Sequence, residues 1–419
     1  MLSETNNRPK RAVSYIDLPM EPNFARNPVD VLFPVLERHT VVAGRDGVYG
    51  GIQMPNNYLL PDKDRDLFLV MGFNAVRQVL TDGSAFSSAL GYANAGAKAL
   101  GKVLFTMDNP EHKKYRALIA QAFNHSTVTK EWLNQHVSPI INEAVAEFSS
   151  LGKGDLLQLF TLHFPFRIIA KITGVPYEHA DALAEFTQDS LEMGKDPARA
   201  MRAMGGMNEI FQSIIVDRRK MPKEDMITAL ISAELDGEKL SDEDICSFLR
   251  NLIAAGLDTT YRATSNLLYY LLNEPGQLDE IQKTPSLLET AIWESLRVDG
   301  SGGYVPRVAM KDVMIDDVSI PAGSSLLVCH YIANYDPRIW ADPRTFDMRR
   351  TRKPILTFGA GPHSCIGNNL AVTEIRMAME TLLEQLPNLR VNPERWDSAR
   401  IRGFHLRSVD MLPVLWDPR

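Results

Sequence analysis

The chain has 419 residues, is 45% hydrophobic and carries a formal net charge of −7. That composition suits a globular protein with a large core, and the acidic balance argues against nucleic acid as a partner. No apolar run approaches the roughly 18 residues that cross a bilayer, and the polar start has no signal-peptide apolar stretch, so the expectation is a cytoplasmic protein without a membrane anchor. Three cysteines, Cys246, Cys329 and Cys365, form no disulfide framework, and the first two sit in apolar surroundings typical of core residues.

In chain order, residues 1–25 read as a polar arm, and 28–38 as a short helical pattern. Residues 47–54 and 66–70 read as paired strands, and 73–80 as a helix. The Ala/Gly/Ser-rich stretch 86–104, with Tyr92, has poor periodicity and reads as a loop with a short helix. Asp108 or Asn109 can cap the next helix, with Pro110 in its first turn and Glu111 complementing its dipole. His112 and Arg116 then stand at i and i+4 on one face; alone, that is most simply a solvated basic face. Residues 160–172 are apolar with an interruption at Pro165, and further amphipathic patterns cover 177–193 and 197–220.

Ser241 and the acids after it open a helical pattern reaching residue 272, about 48 Å long at ~1.5 Å per residue. Its middle holds Ala255, Gly256, Leu257, Asp258, Thr259 and Thr260. Gly, Asp and Thr are poor helix-interior residues, and a Thr hydroxyl can bond back into the preceding turn and bend it. The flanks, Leu252 among them, are apolar almost all round, as in a buried helix. Glu294 and Arg297 follow at i, i+3 on a helix over 285–298, a spacing that specifies little by itself. Residues 304–309, 313–315, 318–320 and 325–328 read as strands, 370–386 as a helix, and 403–406 as the tip of a terminal hairpin.

The most informative stretch is Phe358, Gly359, Ala360, Gly361, Pro362, His363, Ser364, Cys365, Ile366, Gly367. Its glycines permit turns and close approaches that side chains block. The turn places the Cys365 sulfur before a helix N-terminus, where partial positive charge and free N–H groups favour a thiolate. Such a sulfur is an anionic metal ligand.

These residues resemble the haem-binding loop of the cytochrome P-450 family, F-G-x-G-x-H-x-C-x-G, at all six fixed positions. Residues 255–260 resemble its A-G-x-[DE]-T-T element, residues 294–297 its E-x-x-R, and residues 108–116 its D-x-P-x-H-x-x-x-R. The resemblance implies a mainly α fold with a small β-rich region, a triangular helical prism around haem b, folded as a single catalytic domain over 26–419. It implies Cys365 as the iron ligand, with Phe358, Gly359 and Gly367 forming its loop. His112, Arg116, Arg307 and His363 would bind haem propionates. Asp258 and Thr259 would handle protons in a helix that bulges over the oxygen site. Glu294, Arg297 and Arg350 would form a structural lock. Substrate contacts would come from Tyr92 in a lid, Leu252, Ala255, Gly302, Gly303, and Phe404 and His405 at the hairpin tip. One departure stands out: Asp299, Gly300, Ser301, Gly302 and Gly303 replace the usual Pro-containing segment after E-x-x-R, which puts the backbone path beside the haem in question.

The implied activity is hydroxylation of an apolar small molecule, of terpenoid, steroid, aromatic or polyketide type, by O2. The chain has no nucleotide fingerprint and no Fe–S cysteine cluster, so electrons would come from a separate ferredoxin and an NAD(P)H-dependent reductase. Lys113, Lys114, Arg344, Arg349, Arg352 and Lys353 form the basic cluster expected to meet an acidic ferredoxin. A peroxide-driven haem-thiolate enzyme and a non-catalytic haem sensor or carrier remain open at this level; the intact Asp258–Thr259 element weighs against both.

Overall fold

A computed structural model describes residues 27–45, 48–49, 52–53, 65–93, 101–126, 130–191 and 196–418. The expected N-terminal arm and part of the lid stretch lie outside the described residues. Helices dominate, and the long helix Asp242–Asn273 crosses the core, buried along most of its length. Its start is a reciprocal cap: Ser241 Oγ accepts from the Asp244 N–H at 3.1 Å, and Asp244 Oδ2 accepts from the Ser241 N–H at 3.1 Å. The helix runs unbroken through residues 255–260, so the expected bulge is not present. Gly256 has a packing role: a Cβ there would stand 2.7 Å from Ile169 Cδ1, on the crossing helix Phe164–Thr173. Pro165 does not interrupt that helix. It sits in the first turn, where its missing N–H costs nothing and its fixed φ suits the helix.

The main sheet has seven strands in the order Ile52–Gln53, Val48–Tyr49, Val41–Arg45, Leu67–Val70, Ser325–Val328, Val305–Ala309, Phe86–Ser87. This corrects one expected pairing. Leu67–Val70 pairs antiparallel with residues 41–44, Val41 opposite Val70, and not with residues 47–54. Its other edge runs parallel to Ser325–Val328, so it is an inner strand buried throughout. A strand buried on both faces loses the alternating pattern that would reveal its partner.

The Gly-rich segment after the E-x-x-R helix is held from behind. The Asp299 carboxylate accepts from Tyr270 Oη at 2.5 Å, Tyr331 Oη at 3.1 Å and Arg407 Nε at 2.6 Å. Arg407 belongs to the terminal hairpin, formed by Ile401–Arg402 pairing with Ser408–Val409. Gly303 N donates to the His405 carbonyl at 2.8 Å, and a Cβ at Gly303 would lie 2.2 Å from the Phe404 carbonyl. Only glycine lets the segment and the hairpin approach this closely. An ion pair and backbone bonding thus do what a rigid proline would do.

Candidate haem and substrate site

A cavity of about 320 Å³ separates the long helix from the loop 358–367 and the helix Asn368–Gln385. Cys365 faces it from the loop side. Gly359 and Gly361 both take φ of 68°, the left-handed region that suits glycine, and a Cβ on Gly361 would lie 2.6 Å from the Leu80 carbonyl. The loop closes through Cys365 N donating to the Phe358 carbonyl at 2.8 Å. Burial pushes the Cys365 thiol up, while the Gly367 N–H and the nearby Arg116 pull it down. The expected thiolate is therefore not set by the helix end alone. A metal completes it, because a ligating sulfur must lose its proton.

Four basic side chains gather at one rim of this cavity. The rings of His112 and His363 stack with centroids 4.1 Å apart. Arg116 donates to the Ser364 carbonyl at 2.9 Å, and the buried Arg307 donates only to the Pro306 carbonyl at 2.7 Å. Among the described residues none of the four has a carboxylate partner. His112 Nε2 and His363 Nδ1 are buried without any hydrogen-bond partner. Burial, then the neighbouring arginines, holds both imidazoles below their ordinary value, His363 at about 3. Basic groups crowded together with unmet donors describe a site for anions. The two carboxylates of a haem would fit it, Cys365 would offer the sulfur to its iron, and the apolar walls would surround its ring.

On the opposite wall stand Leu252, Ala255 and Thr259. Thr259 Oγ1 donates to the Ala255 carbonyl at 2.6 Å. Asp258 departs from expectation. It does not line the cavity, and its carboxylate is held by Arg262, one turn on, at 2.9 and 3.0 Å. Gly302 lines the cavity, whereas Gly303, Tyr92, Phe404 and His405 do not. Tyr92 packs on Phe105, and Phe404 and His405 pack on Tyr304 behind Gly303. The close approach of hairpin and segment turns that tip into a second layer.

The structural trio assembles as expected. Glu294 accepts from Arg297 Nε and Nη2 at 2.8 and 2.7 Å, from Arg350 Nε at 2.8 Å and from Asp347 N at 3.1 Å. The expected basic docking cluster is largely neutralised within the protein. Lys114 pairs with Glu238, Arg344 with Asp30, Arg349 with Glu280, and Arg352 with Glu289 while lying 3.7 Å over the Trp293 ring. Only Lys113 and Lys353 lack a carboxylate partner among the described residues.

Several cavity-lining residues escaped the sequence reading, two polar ones, Glu374 and Asn251, among them. Glu374 is fully buried, with Oε1 unpartnered, and burial raises its carboxyl well above the ordinary value. Leu370, Glu374, Ala378 and Leu382 all lie buried on one helix stripe, so an acid at an i, i+4 apolar position was the available signal. Asn251 lines the opposite wall, one turn before Ala255.

Among the described residues no helix is long and apolar enough to cross a membrane. The chain matches the family model described as Cytochrome P450 over residues 58–395. It is 31% identical to the cytochrome P450 monooxygenase PikC of Streptomyces venezuelae over 85% of this chain and 86% of that one. It is likewise 31% identical to nocardicin C N-oxygenase of Nocardia uniformis subsp. tsuyamanensis, covering 84% and 90%. Among solved structures, cytochrome P450 CYP109Q5 from Chondromyces apiculatus superposes with a TM-score of 0.80 at 27% identity, over 95% of this chain and 97% of that one. P450BioI, solved in complex with an acyl carrier protein ligated to hexadec-9Z-enoic acid, gives 0.80 at 26% identity, over 94% and 100%. The chain therefore belongs to a family whose cofactor is haem b: it is a cytochrome P450 monooxygenase.

Proposed function

We propose that this enzyme hydroxylates an apolar small molecule, drawing electrons from a separate ferredoxin and its NAD(P)H-dependent reductase. The observation that carries the reading is the cavity itself, with Cys365 on one wall, Thr259 on the other and apolar side chains between. Haem, when bound, would supply activation of O2 and transfer of one oxygen atom to a C–H bond, chemistry that a thiolate ligand promotes. Cys365 holds the iron. His112, Arg116, Arg307 and His363 neutralise the two propionates and set the ring's orientation. The apolar wall excludes bulk water, which leaves proton supply to the protein. Thr259 donates a hydrogen bond toward the oxygen site by turning from the Ala255 carbonyl. Asp258 replenishes that proton by rotating away from Arg262, so the ion pair is the resting position of the outer proton carrier.

Relatives named as a mycinamicin IV hydroxylase/epoxidase and a nocardicin C N-oxygenase act on dissimilar molecules, so the apolar-substrate reading rests on this cavity. The ferredoxin reading rests on the lack of any flavin or Fe–S motif within the chain. Lys113 and Lys353 are the charges available to guide such a partner, and the reading places the reaction in the cytoplasm.

Two variants test the assignments. Cys365→Ser should abolish the thiolate-type spectrum of the reduced CO complex, and an unchanged spectrum would overturn the ligand. Thr259→Ala should keep that spectrum while product formed per NAD(P)H consumed falls steeply, since a positioned proton donor contributes about 10²–10⁴ in rate. A ratio equal to wild type would confine Thr259 to its backbone bond. Product formed with peroxide alone, and none with ferredoxin and reductase, would replace the electron-transfer reading with a peroxide-driven one.

A further inference from the structure

The long helix sets Asn251, Ala255 and Thr259 four residues apart, so the three share one face, and all three line the cavity. Around Asn251 the wall is apolar, formed by Phe248, Leu252 and Leu104. The Asn251 carboxamide, with two N–H donors and a carbonyl acceptor, hydrogen-bonds no other described group. Its neighbour Arg250 behaves differently, donating to Asn208 and to Ser247 Oγ at 3.0 Å, and does not line the cavity. Asn251 is half-buried, so its carboxamide opens onto the cavity and is available to a bound molecule. The charged and basic groups that line the cavity all lie on other elements: Arg307 on the strand Val305–Ala309, His330 at the start of the short helix His330–Ala333, His363 in the loop 358–367, and the buried acid Glu374 on the helix Asn368–Gln385. The Asn251 end therefore offers hydrogen bonds without a countercharge.

We propose that Asn251 determines specificity by hydrogen-bonding a neutral polar group, a ketone, hydroxyl or amide, at the far end of an elongated apolar substrate. This rests on the monooxygenase reading, in which Thr259 marks the reacting end. Eight residues along the helix place the two side chains about 12 Å apart at ~1.5 Å per residue. The substrate's handle then sits about 10–12 Å from the carbon that gains oxygen. A free carboxylate or ammonium in that position would find no opposite charge and is disfavoured.

Spectral titration of the haem-loaded enzyme tests this with matched probe pairs: testosterone against its 3-deoxo analogue, and 2-tridecanone against n-tridecane. Wild type should bind the ketone of at least one pair about tenfold more tightly, the scale of one good hydrogen bond. Asn251→Leu should abolish that preference, Asn251→Ala should do the same, and Asn251→Gln should keep part of it. With the preferred ketone, oxygen should enter about 10–12 Å from the carbonyl. The proposal fails if wild type binds none of the probes, if it discriminates within neither pair, or if the preference survives in both Asn251→Leu and Asn251→Ala. The reduced CO spectrum separates the two levels. Loss of the preference's dependence on Asn251 with an intact thiolate spectrum defeats the handle alone, whereas a wild-type enzyme without that spectrum defeats the monooxygenase reading.

Discussion

Two clusters of ionisable side chains in this molecule share arginine and behave in opposite ways, because one brings carboxylates to it and the other brings imidazoles. Behind the haem loop, Glu294 takes four hydrogen bonds from Arg297, Arg350 and the Asp347 backbone, and Arg297 spends its remaining donors on the carbonyls of Asn334, Pro343 and Thr345. Asp299 and Arg407 repeat the arrangement nearby. At the front, His112, Arg116, Arg307 and His363 converge with no carboxylate bonded to any of them among the described residues; Asp108 acts on them only from a distance, its carboxylate being taken by Ser87 and Ser88. The rear clusters are complete as folded, so their charges serve the fold. The front cluster is left open, and in the proposed reading the two haem carboxylates would complete it. Unmet charge distinguishes a binding site from a structural ion pair more sharply than burial does, because both clusters are buried.

The largest effect should come from breaking the rear cluster. Glu294→Leu leaves Arg297, 1% exposed, and the half-buried Arg350 facing each other without a counter-ion. Removing one partner of a buried pair costs about 3–5 kcal/mol. Urea unfolding of the haem-loaded protein should show a loss of that size, together with poor recovery of folded enzyme. A loss below about 1 kcal/mol would mean the rear charges are not the self-sufficient set described above. The front cluster should respond the other way. Arg307→Leu relieves repulsion among like charges, so the haem-free protein should unfold at an unchanged or higher temperature. The haem-loaded protein should release its cofactor faster, by about 10- to 100-fold, the equivalent of one charge-assisted hydrogen bond. Transfer of haem to an excess of apomyoglobin measures that rate. A destabilised haem-free protein with unchanged haem release would make Arg307 another structural residue.

How much of this was legible in the sequence followed the range of the interactions. The haem loop and the ends of the long helix rest on glycines, caps and short spacings, and they appear where the residues predicted them. Glu294 and Arg297 are three residues apart and also meet as read. Partners distant in sequence did not show. Asp30, Glu238, Glu280 and Glu289 neutralise most of the basic cluster expected to face a ferredoxin, and no local pattern pairs them with Arg344, Lys114, Arg349 and Arg352. The same holds for Leu67–Val70, whose neighbours in the sheet come from two separate parts of the chain. Two local features were readable and went unread. Asp258 and Arg262 stand at i, i+4, a spacing that pairs opposite charges, so the ion pair that holds the proposed proton carrier at rest was there to be seen. Asn251 lies one turn from Ala255, already expected in the pocket.

Glu374 sharpens the comparison from a third side, as an acid with neither a cation nor a hydrogen-bond partner for Oε1. Burial favours its neutral form and raises its folded-state value well above the ordinary 4.5. The sign of the pH effect follows. In the unfolded chain Glu374 ionises above about pH 4.5, while the folded protein keeps the proton. The unfolded state then binds fewer protons, so stability is greatest below that pH and declines as pH rises toward the folded value. Each pH unit inside this window costs about 1.4 kcal/mol. Glu374→Gln keeps the shape and removes the ionisation. Melting temperatures of the haem-loaded proteins should be similar near pH 4.5 and diverge as pH rises to 7, with the Gln variant the more stable. Rear carboxylates such as Glu294, held by two arginines, should show no such gain on neutralisation. If the difference between Glu374→Gln and wild type is the same at every pH, the carboxyl has acquired a partner in the loaded enzyme, and this acid belongs with the satisfied charges of the rear.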